Sequence, residues 1–248
     1  STEDKRAIFR FLVAVDALSQ YVFAVRIANM SDKEVKKAIQ VVIVAYKTNK
    51  KASLRQVVLD NAGALISEAV KAYIRAEGYE VIYVTPGLHV RIAEASIRQI
   101  KSLVRTTVLD ASVSKRFITA FVPALVLWVA DSMNFSLRSG SDHASPHLRF
   151  TGKPIVMDVH FRAAFLDIVA VNEITDDLKN LDSRARLGFV IGRDESARGT
   201  LVILDFETGR TMKRRHFKLV GGPMYIEKAR EFRSEEHTSE LQSHLMIS

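Results

Sequence analysis

The order of apolar patterns along the first 110 residues constrains the fold of this chain more than any other feature. Two runs with the apolar density of buried strands come first, and the short turn between them predicts a β-hairpin. Amphipathic helical patterns and strand-like runs then alternate. The predicted strands cover residues 7–17, 20–27, 54–60 and 79–85, and the predicted helices cover residues 31–50, 64–78 and 92–108. This order is typical of an α/β domain whose sheet contains both parallel and antiparallel pairs.

Local signals mark the ends of two of these helices. Ser31 followed by Glu34 fits a capping box at the start of the first helix, and Gly78 fits the C-terminal cap of the second. A further helix is predicted at about residues 113–133, and its most apolar run, Phe117–Ala130, contains Pro123. We interpret that run as too short to span a bilayer, so it predicts a buried helix and no membrane partner.

The composition and the apolar pattern of the sequence change after residue 137. A stretch rich in Ser, Gly and Pro predicts a linker, and short apolar runs separated by turn signals predict a small antiparallel β-domain such as a barrel. The predicted divisions are a core at 1–137, a linker at 138–150, a β-domain at 151–222 and a tail at 223–248. Residues 233–248 resemble the translation of a sequencing adapter, so we interpret them as a non-native extension.

The charge and composition indicate a polyanionic partner. The 248 residues carry a formal net charge of +8, and 48% of them are apolar, which is enough for a packed core rather than a disordered chain. The lack of cysteine excludes disulfides and thiolate zinc sites within these residues. We therefore expect an intracellular protein, and nucleic acid is the most common polyanion bound by basic proteins of this kind.

The predicted helix at 92–108 carries one carboxylate in a row of cations. Glu94 shares a stripe, at steps of three and four residues, with the basic side chains Arg91, Arg98, Lys101 and Arg105. A neighbouring stripe of Ala93, Ile97, Ile100, Val104 and Val108 is the predicted buried face. The cationic row has two interpretations. It is either a solvated face, with a Glu94–Arg98 pair worth about 0.2–0.5 kcal/mol, or a surface that faces a phosphate backbone.

A second carboxylate favours the phosphate interpretation. Asp60 ends a strand-like run, and strand ends are where α/β proteins usually place chemistry. The 33 residues between Asp60 and Glu94 hold one helix, one strand and one turn, so the following helix can bring Glu94 back to that strand end. Two carboxylates that meet there could hold a divalent cation together with phosphate and water. For Asp60 alone, a turn or helix-capping role is the alternative.

Four segments have a distinctive order and spacing, namely FLVAVDALSQYVFAVRI, VVLDNAGALI, GYEVIYVTPGLHVRIAEASIRQIKSLVRT and ASPHLRFTGKP. Together they resemble the integrase of copia-type long-terminal-repeat retrotransposons, and the similarity runs from about Ile8 to Val220. The resemblance implies a ribonuclease H-like mixed sheet flanked by helices, with an Asp, Asp, Glu catalytic triad. In that alignment Asp60 matches the second Asp and Glu94 matches the Glu. The first Asp is expected upstream of Ser1, in preference to Asp4 or Asp16, so the chain is interpreted as a fragment.

The resemblance also implies partners and chemistry. The carboxylates are expected to hold Mg²⁺ or Mn²⁺, and the partner is expected to be DNA, both the element ends and the target. A homo-oligomer that acts in the nucleus is expected. A second DNA-contacting cluster is predicted in the β-domain at Lys213, Arg214 and Arg215, for which a solvated turn is the alternative. Two other functions stay open, namely a remnant that binds DNA without catalysis and a basic domain whose polyanion is not DNA.

Overall fold

The computed structural model describes two compact units separately. It covers residues 9–60, 65, 67–84, 91–110, 115–137, 144–172, 185–194, 197 and 199–232. Unit 1 comprises residues 1–103 and 129–155, and unit 2 comprises residues 104–128 and 156–248. Asp4, a candidate for the first Asp, and residues 233–248, interpreted above as a non-native extension, lie outside the described residues.

The predicted hairpin is confirmed in unit 1. Strand β1 (Arg10–Val15) pairs antiparallel with β2 (Val22–Ile27), and the register runs from Arg10 opposite Ile27 to Val15 opposite Val22. The turn is closed by two backbone hydrogen bonds between Asp16 and the residues that precede β2, and Gln20 adopts a positive φ of 61° there. This left-handed residue lets the chain reverse in the few residues available.

Helix α1 (Asp32–Thr48) begins at the predicted cap, but the capping box is only half formed. The Ser31 hydroxyl accepts a hydrogen bond from the Glu34 backbone N–H at 3.5 Å. The Glu34 carboxylate, however, accepts from the backbone N–H of Ala28 at 3.4 Å, and the Ser31 N–H donates to the Asn29 side chain at 2.9 Å. In a complete capping box the Glu34 carboxylate would accept from the Ser31 backbone N–H. Here the Asn29 side chain accepts that hydrogen bond instead.

A β–α–β unit follows and shares one apolar core with the hairpin. Strand β3 (Gln56–Leu59) leads through α2 (Glu68–Ala76) to β4 (Glu80–Tyr83), which pairs parallel with β3. The buried members of the core are Val35, Ile39, Ile43, Leu59, Val70 and Ile74, and Leu12 of β1 packs against them. In the described residues, β1–β2 and β3–β4 are separate two-stranded ladders rather than the one mixed sheet that was predicted.

Two long helices come next, α3 (Arg91–Asp110) and α4 (Lys115–Phe135). The argument that the apolar run is too short for a bilayer was wrong. The helical stretch Phe117–Phe135 has a mean hydropathy of 1.5 and is, by length and composition only, long and apolar enough to cross a membrane. More than half of that window, 56%, is nevertheless buried inside the protein, as is usual for a core helix.

Part of the predicted linker is a short helix, α5 (Pro146–Thr151), that packs in unit 1. Ser145 caps its start and Gly152, with φ of 72°, ends it in the left-handed conformation. Phe150 stacks on Tyr21 with a centroid distance of 4.6 Å and meets Tyr46 edge-on at 5.1 Å. These ring contacts fix the segment against the hairpin and α1.

Unit 2 contains a five-stranded antiparallel sheet. After the short helix α6 (Met157–His160) come the strands β5 (Ile168–Asn172), β6 (Ala185–Arg193), β7 (Leu201–Asp205), β8 (Thr211–Arg214) and β9 (Lys218–Leu219), and helix α7 (Pro223–Phe232) ends the described chain. The strand order is β8-β7-β6-β5-β9, so strands that are adjacent in sequence form opposite edges.

This strand order requires the sheet to curl. Four flat inter-strand spacings would separate β8 from β9 by about 19 Å. The four Cα steps from Arg214 to Lys218 reach about 14 Å at most. The edges therefore approach each other, and the enclosed core contains Val169, Val171, Val190, Leu201 and Ile203, with Trp128 and Phe217 packed against it.

Candidate metal and nucleic-acid sites

Asp60 lies directly after β3, at the end of the parallel pair. Leu59 is opposite Tyr83 in the register, and the Val84 N–H donates to the Leu59 carbonyl at 3.4 Å. The pairing therefore puts Asp60 and Val84 at the same end of the ladder. Asp60 is half-buried. From this end the chain continues through residues 85–90, which lie outside the described residues, to the start of α3.

Glu94 lies in the first turn of α3 and is half-buried. The first turn of a helix favours a carboxylate, because the unpaired backbone N–H groups there carry partial positive charge. The chain thus carries Glu94 on the helix that follows β4 in sequence, and β4 is paired with the strand that Asp60 follows. His89, within the resembling segment, falls in the part of the chain that is not described.

The donor set of these two carboxylates suits a hard divalent cation. Mg²⁺ takes oxygen ligands and is commonly held by one or two carboxylates, with the remaining positions filled by water and substrate phosphate. Within the described ranges, no group of three or more His, Cys, Asp or Glu side chains is arranged to hold a metal ion. Each of the two carboxylates is, by its chemistry alone, a candidate ligand for such a cation.

The cationic row of α3 is exposed. Arg91, Arg98, Lys101 and Arg105 all have exposed side chains. The predicted buried face was partly wrong, because Ile100 is its only fully buried member and the other four are half-buried. Ser96, which the apolar pattern did not mark, is 3% exposed and lies one turn before Ile100. The buried edge of α3 is therefore narrower than predicted.

Asp16 is part of a hydrogen-bonded network in the hairpin turn. Its Oδ2 accepts from both the backbone N–H and the hydroxyl of Ser19 at 2.6 Å, and its Oδ1 accepts from the Tyr46 hydroxyl at 2.7 Å. Burial raises the pKa of the Tyr46 phenol, and the hydrogen bond to Asp16 and the charge of Asp16 raise it further. This carboxylate holds the turn against α1.

The predicted basic cluster of the β-domain divides between two faces of β8. Lys213 is exposed and forms an ion pair with Asp194 at 3.2 Å. Arg214 is half-buried and points to the opposite side, since neighbouring residues on a strand alternate. Arg215, just after the strand, is exposed. One of the three predicted cations is thus already paired with an acid.

Two arginines that sequence analysis did not select lie at the same end of this sheet. The register places Arg193 of β6 opposite Leu201 of β7, and Leu201 opposite Arg214 of β8. Arg162 joins them, because its Nη1 donates to the carbonyls of Gly199 at 3.1 Å and Arg215 at 2.6 Å. Only the strand register brings these positions together, so spacing in the sequence gives no signal for them.

Comparison with known proteins found likenesses among solved structures. No family model matches the chain, and no curated protein matches it. The chain is similar to the crystal structure of the catalytic core domain of BIV integrase, with a TM-score of 0.43 and 16% sequence identity. The matched region covers 57% of this chain and 90% of that chain.

Proposed function

We propose that this chain is part of the integrase core of a copia-type retrotransposon, which in the intact protein processes DNA 3′ ends and joins them to target DNA. The observation that carries the proposal is the arrangement after β3. Asp60 lies at the end of a parallel β–α–β unit, and the chain leaves that end for a helix with Glu94 in its first turn. The same helix exposes four cations suited to a phosphate backbone.

In this proposal Asp60 and Glu94 hold Mg²⁺ or Mn²⁺. The bound ion would activate the attacking oxygen and stabilise the leaving oxygen of an in-line displacement at phosphorus. Arg91, Arg98, Lys101 and Arg105 would hold the DNA backbone, and Lys213, Arg214 and Arg215 would add a second contact. The working form would be a homo-oligomer inside the cell, in the nucleus when it acts on DNA.

The missing third carboxylate would come from a strand that precedes Ser1. Two observations support this. The β1–β2 and β3–β4 ladders share a core but are not hydrogen-bonded to each other in the described residues. Asp16, the other candidate at a strand end, already accepts three hydrogen bonds. An additional strand carrying an Asp would complete both the sheet and the site.

The test uses a protein extended upstream through the next strand. We expect it to join DNA ends in magnesium and to lose this activity to background in Asp60→Asn and in Glu94→Gln. The matched controls are Asp158→Asn and Glu227→Gln, which remove exposed acids elsewhere and should leave activity intact. Strand transfer that survives either substitution of the two carboxylates would overturn the proposal.

A remnant that binds DNA without catalysis is the second candidate. Its binding would depend on the exposed cations of α3. It predicts DNA binding that falls steeply with salt and is unchanged by a metal chelator. The upstream genomic sequence separates the two candidates, because a strand with an Asp favours the enzyme and a stop codon favours the remnant.

A further inference from the structure

We propose that the groove between α1 and α2 is a docking site for an acidic peptide segment of a partner protein. The groove belongs to unit 1 and has a volume of about 400 Å³. We call it the α1–α2 groove, and it is lined by Asp32, Lys33, Lys36, Lys37, Gln40, Ala69 and Tyr73. The site goes beyond the proposed DNA chemistry, because it uses neither the two candidate catalytic carboxylates nor the cations of α3.

Helical periodicity builds one wall of the α1–α2 groove from lysines. Lys33, Lys36, Lys37 and Gln40 recur at steps of three and four residues, so they share one face of α1. On α2, Ala69 and Tyr73 are four residues apart and also share a face. The groove therefore has a cationic wall on one helix and a largely apolar wall on the other.

Tyr73 is held in place before any ligand binds. The Lys36 ammonium lies 5.6 Å from the centroid of the Tyr73 ring, so a cation–π contact joins the two helices across the groove. Burial raises the pKa of the Tyr73 phenol, and the charge of the Glu77 carboxylate raises it further. Glu77 is itself paired with Lys47 of α1 at 2.5 Å. A ring fixed at both its face and its hydroxyl end can receive an apolar side chain with little loss of entropy.

The charges of the α1–α2 groove complement an acidic ligand. Three lysines and one aspartate line it, so positive charge is in excess. Within the described part of the chain, Lys33 and Lys36 form no ion pair. Lys37 pairs with Glu34 at 2.8 Å, but both groups are exposed enough for the pair to be weak. A ligand carboxylate can therefore share Lys37 with Glu34.

A peptide suits this groove better than a nucleic-acid backbone does. A continuous polyanion that ran along α1 would meet Asp32 at the start of the groove, and Glu77 one turn beyond Tyr73 would repel it at the other end. A peptide carries its charge on separate side chains. It can direct acids to the lysines and place an apolar side chain on Ala69 and Tyr73.

The first test uses a labelled peptide of three Glu-Glu-Leu repeats and the unmodified chain. Fluorescence anisotropy should show saturable binding that weakens with salt, and a Gln-Gln-Leu peptide of the same length should bind about tenfold more weakly or worse. Carbodiimide coupling of the complex should join the peptide to Lys33, Lys36 or Lys37. Lys50 and Lys153, exposed elsewhere in unit 1, should couple much less.

A substitution that fills the groove gives the second test. Ala69→Trp places an indole against Tyr73 and should weaken peptide binding about tenfold or more. Ala72→Trp is the matched control, because Ala72 is exposed on α2 but does not line the groove, and it should bind normally. If Ala69→Trp melts early, the coupling pattern of the unmodified chain decides the question.

Loss of charge gives the third test. Lys33→Gln together with Lys36→Gln should weaken peptide binding about tenfold or more and reduce its dependence on salt. The control with the same loss of charge is Lys50→Gln together with Lys153→Gln, which should bind the peptide almost as well as the unmodified chain does.

Each result supports or overturns the docking site. The site is refuted by a lack of saturable binding, by equal binding of the Gln-Gln-Leu peptide, by coupling spread evenly over exposed lysines, or by full binding in a folded Ala69→Trp protein. Displacement of the peptide by a DNA duplex, with protection of Lys33 and Lys36 by that duplex, would assign the lysines to nucleic acid and refute it as well. Failure of strand transfer in the extended protein would refute the proposed function and leave this site standing.

Discussion

Tyr46→Phe tests the network that fixes the hairpin turn. The substitution keeps the ring that meets Phe150 edge-on and removes the hydroxyl that donates to Asp16 at 2.7 Å. Tyr46 is only 7% exposed, so water cannot easily replace the lost donor. A hydrogen bond to a charged acceptor contributes about 1.5–3 kcal/mol, and we expect the free energy of unfolding at pH 7 to fall by that amount.

Tyr46→Phe should also change how the free energy of unfolding depends on pH above about pH 10. Because the pKa of Tyr46 is raised in the folded protein, the unfolded chain loses this proton first, at about pH 10. The stabilisation is complete below that pH. It is lost as pH rises towards the folded pKa, by about 1.4 kcal/mol per pH unit. The Tyr46→Phe protein has no phenol at this position to titrate. The difference in free energy of unfolding between the two proteins should therefore become smaller above about pH 10.

The measurement is urea denaturation followed by circular dichroism between pH 7 and pH 11. Tyr225→Phe is the matched control, since it deletes a hydroxyl from a half-buried tyrosine in α7. The other tyrosines, including Tyr73 with its raised pKa, are common to both proteins and cancel in the comparison. Equal stability of Tyr46→Phe and the unmodified chain at pH 7, or parallel curves above pH 10, would refute the reasoning.

Two further predictions concern packing. In Gly188→Ala the new Cβ would lie 2.6 Å from Ile203 Cγ2. We expect the free energy of unfolding, measured by thermal melting, to fall by about 1–3 kcal/mol, or the protein to fail to fold. In the control Gly192→Ala the nearest atoms to the new Cβ lie at 3.4 Å or beyond, so its melting temperature should be almost unchanged. Phe150→Ala removes the ring that packs on three other aromatic rings and should cost about 3–5 kcal/mol in unit 1, measured by urea denaturation. A near-native midpoint for Phe150→Ala would show that α5 does not depend on that cluster.

The order of strands and helices in the first 110 residues could be predicted, because each element carries its own signal. Ser31 caps α1 as expected, and the turn after Val15 joins two antiparallel strands. The capping box failed because Asn29, outside the four-residue pattern, competes for the same backbone group. The pattern identifies an acceptor at the helix start but cannot rank it against local acceptors just outside the pattern.

The helix α5 shows how the same residues can support opposite predictions. Ser, Gly and Pro in the stretch after residue 137 indicate a linker by composition. Ser145, Pro146 and Gly152 are also ordinary residues for the start and the end of a helix, and this is how the structure uses them. Phe150 decides between the two outcomes through contacts with rings more than 100 positions away in the sequence.

The candidate sites also differ in how much of them could be predicted from the sequence. The row on α3 follows from helical periodicity alone, and the exposure of its four cations agrees with that analysis. The basic run in β8 was visible because its members are consecutive. The geometry of this run could not be predicted. Strand alternation puts Lys213 and Arg214 on opposite faces, and the strand register places Arg214 and Arg193 on either side of Leu201. Long-range pairing is the information that a single sequence lacks.

Asp16 and Asp60 both follow a strand, and their surroundings argue for different roles. A carboxylate has about four acceptor positions, and Asp16 uses three of them on Ser19 and Tyr46 within its own turn. A metal ion at Asp16 would have to displace these donors, and the hairpin would lose its attachment to α1. Asp60 instead follows β3, and the strand paired with β3, β4, is the one that leads in sequence to α3 and Glu94. The three hydrogen bonds of Asp16 therefore argue for a structural role of this carboxylate in the hairpin turn.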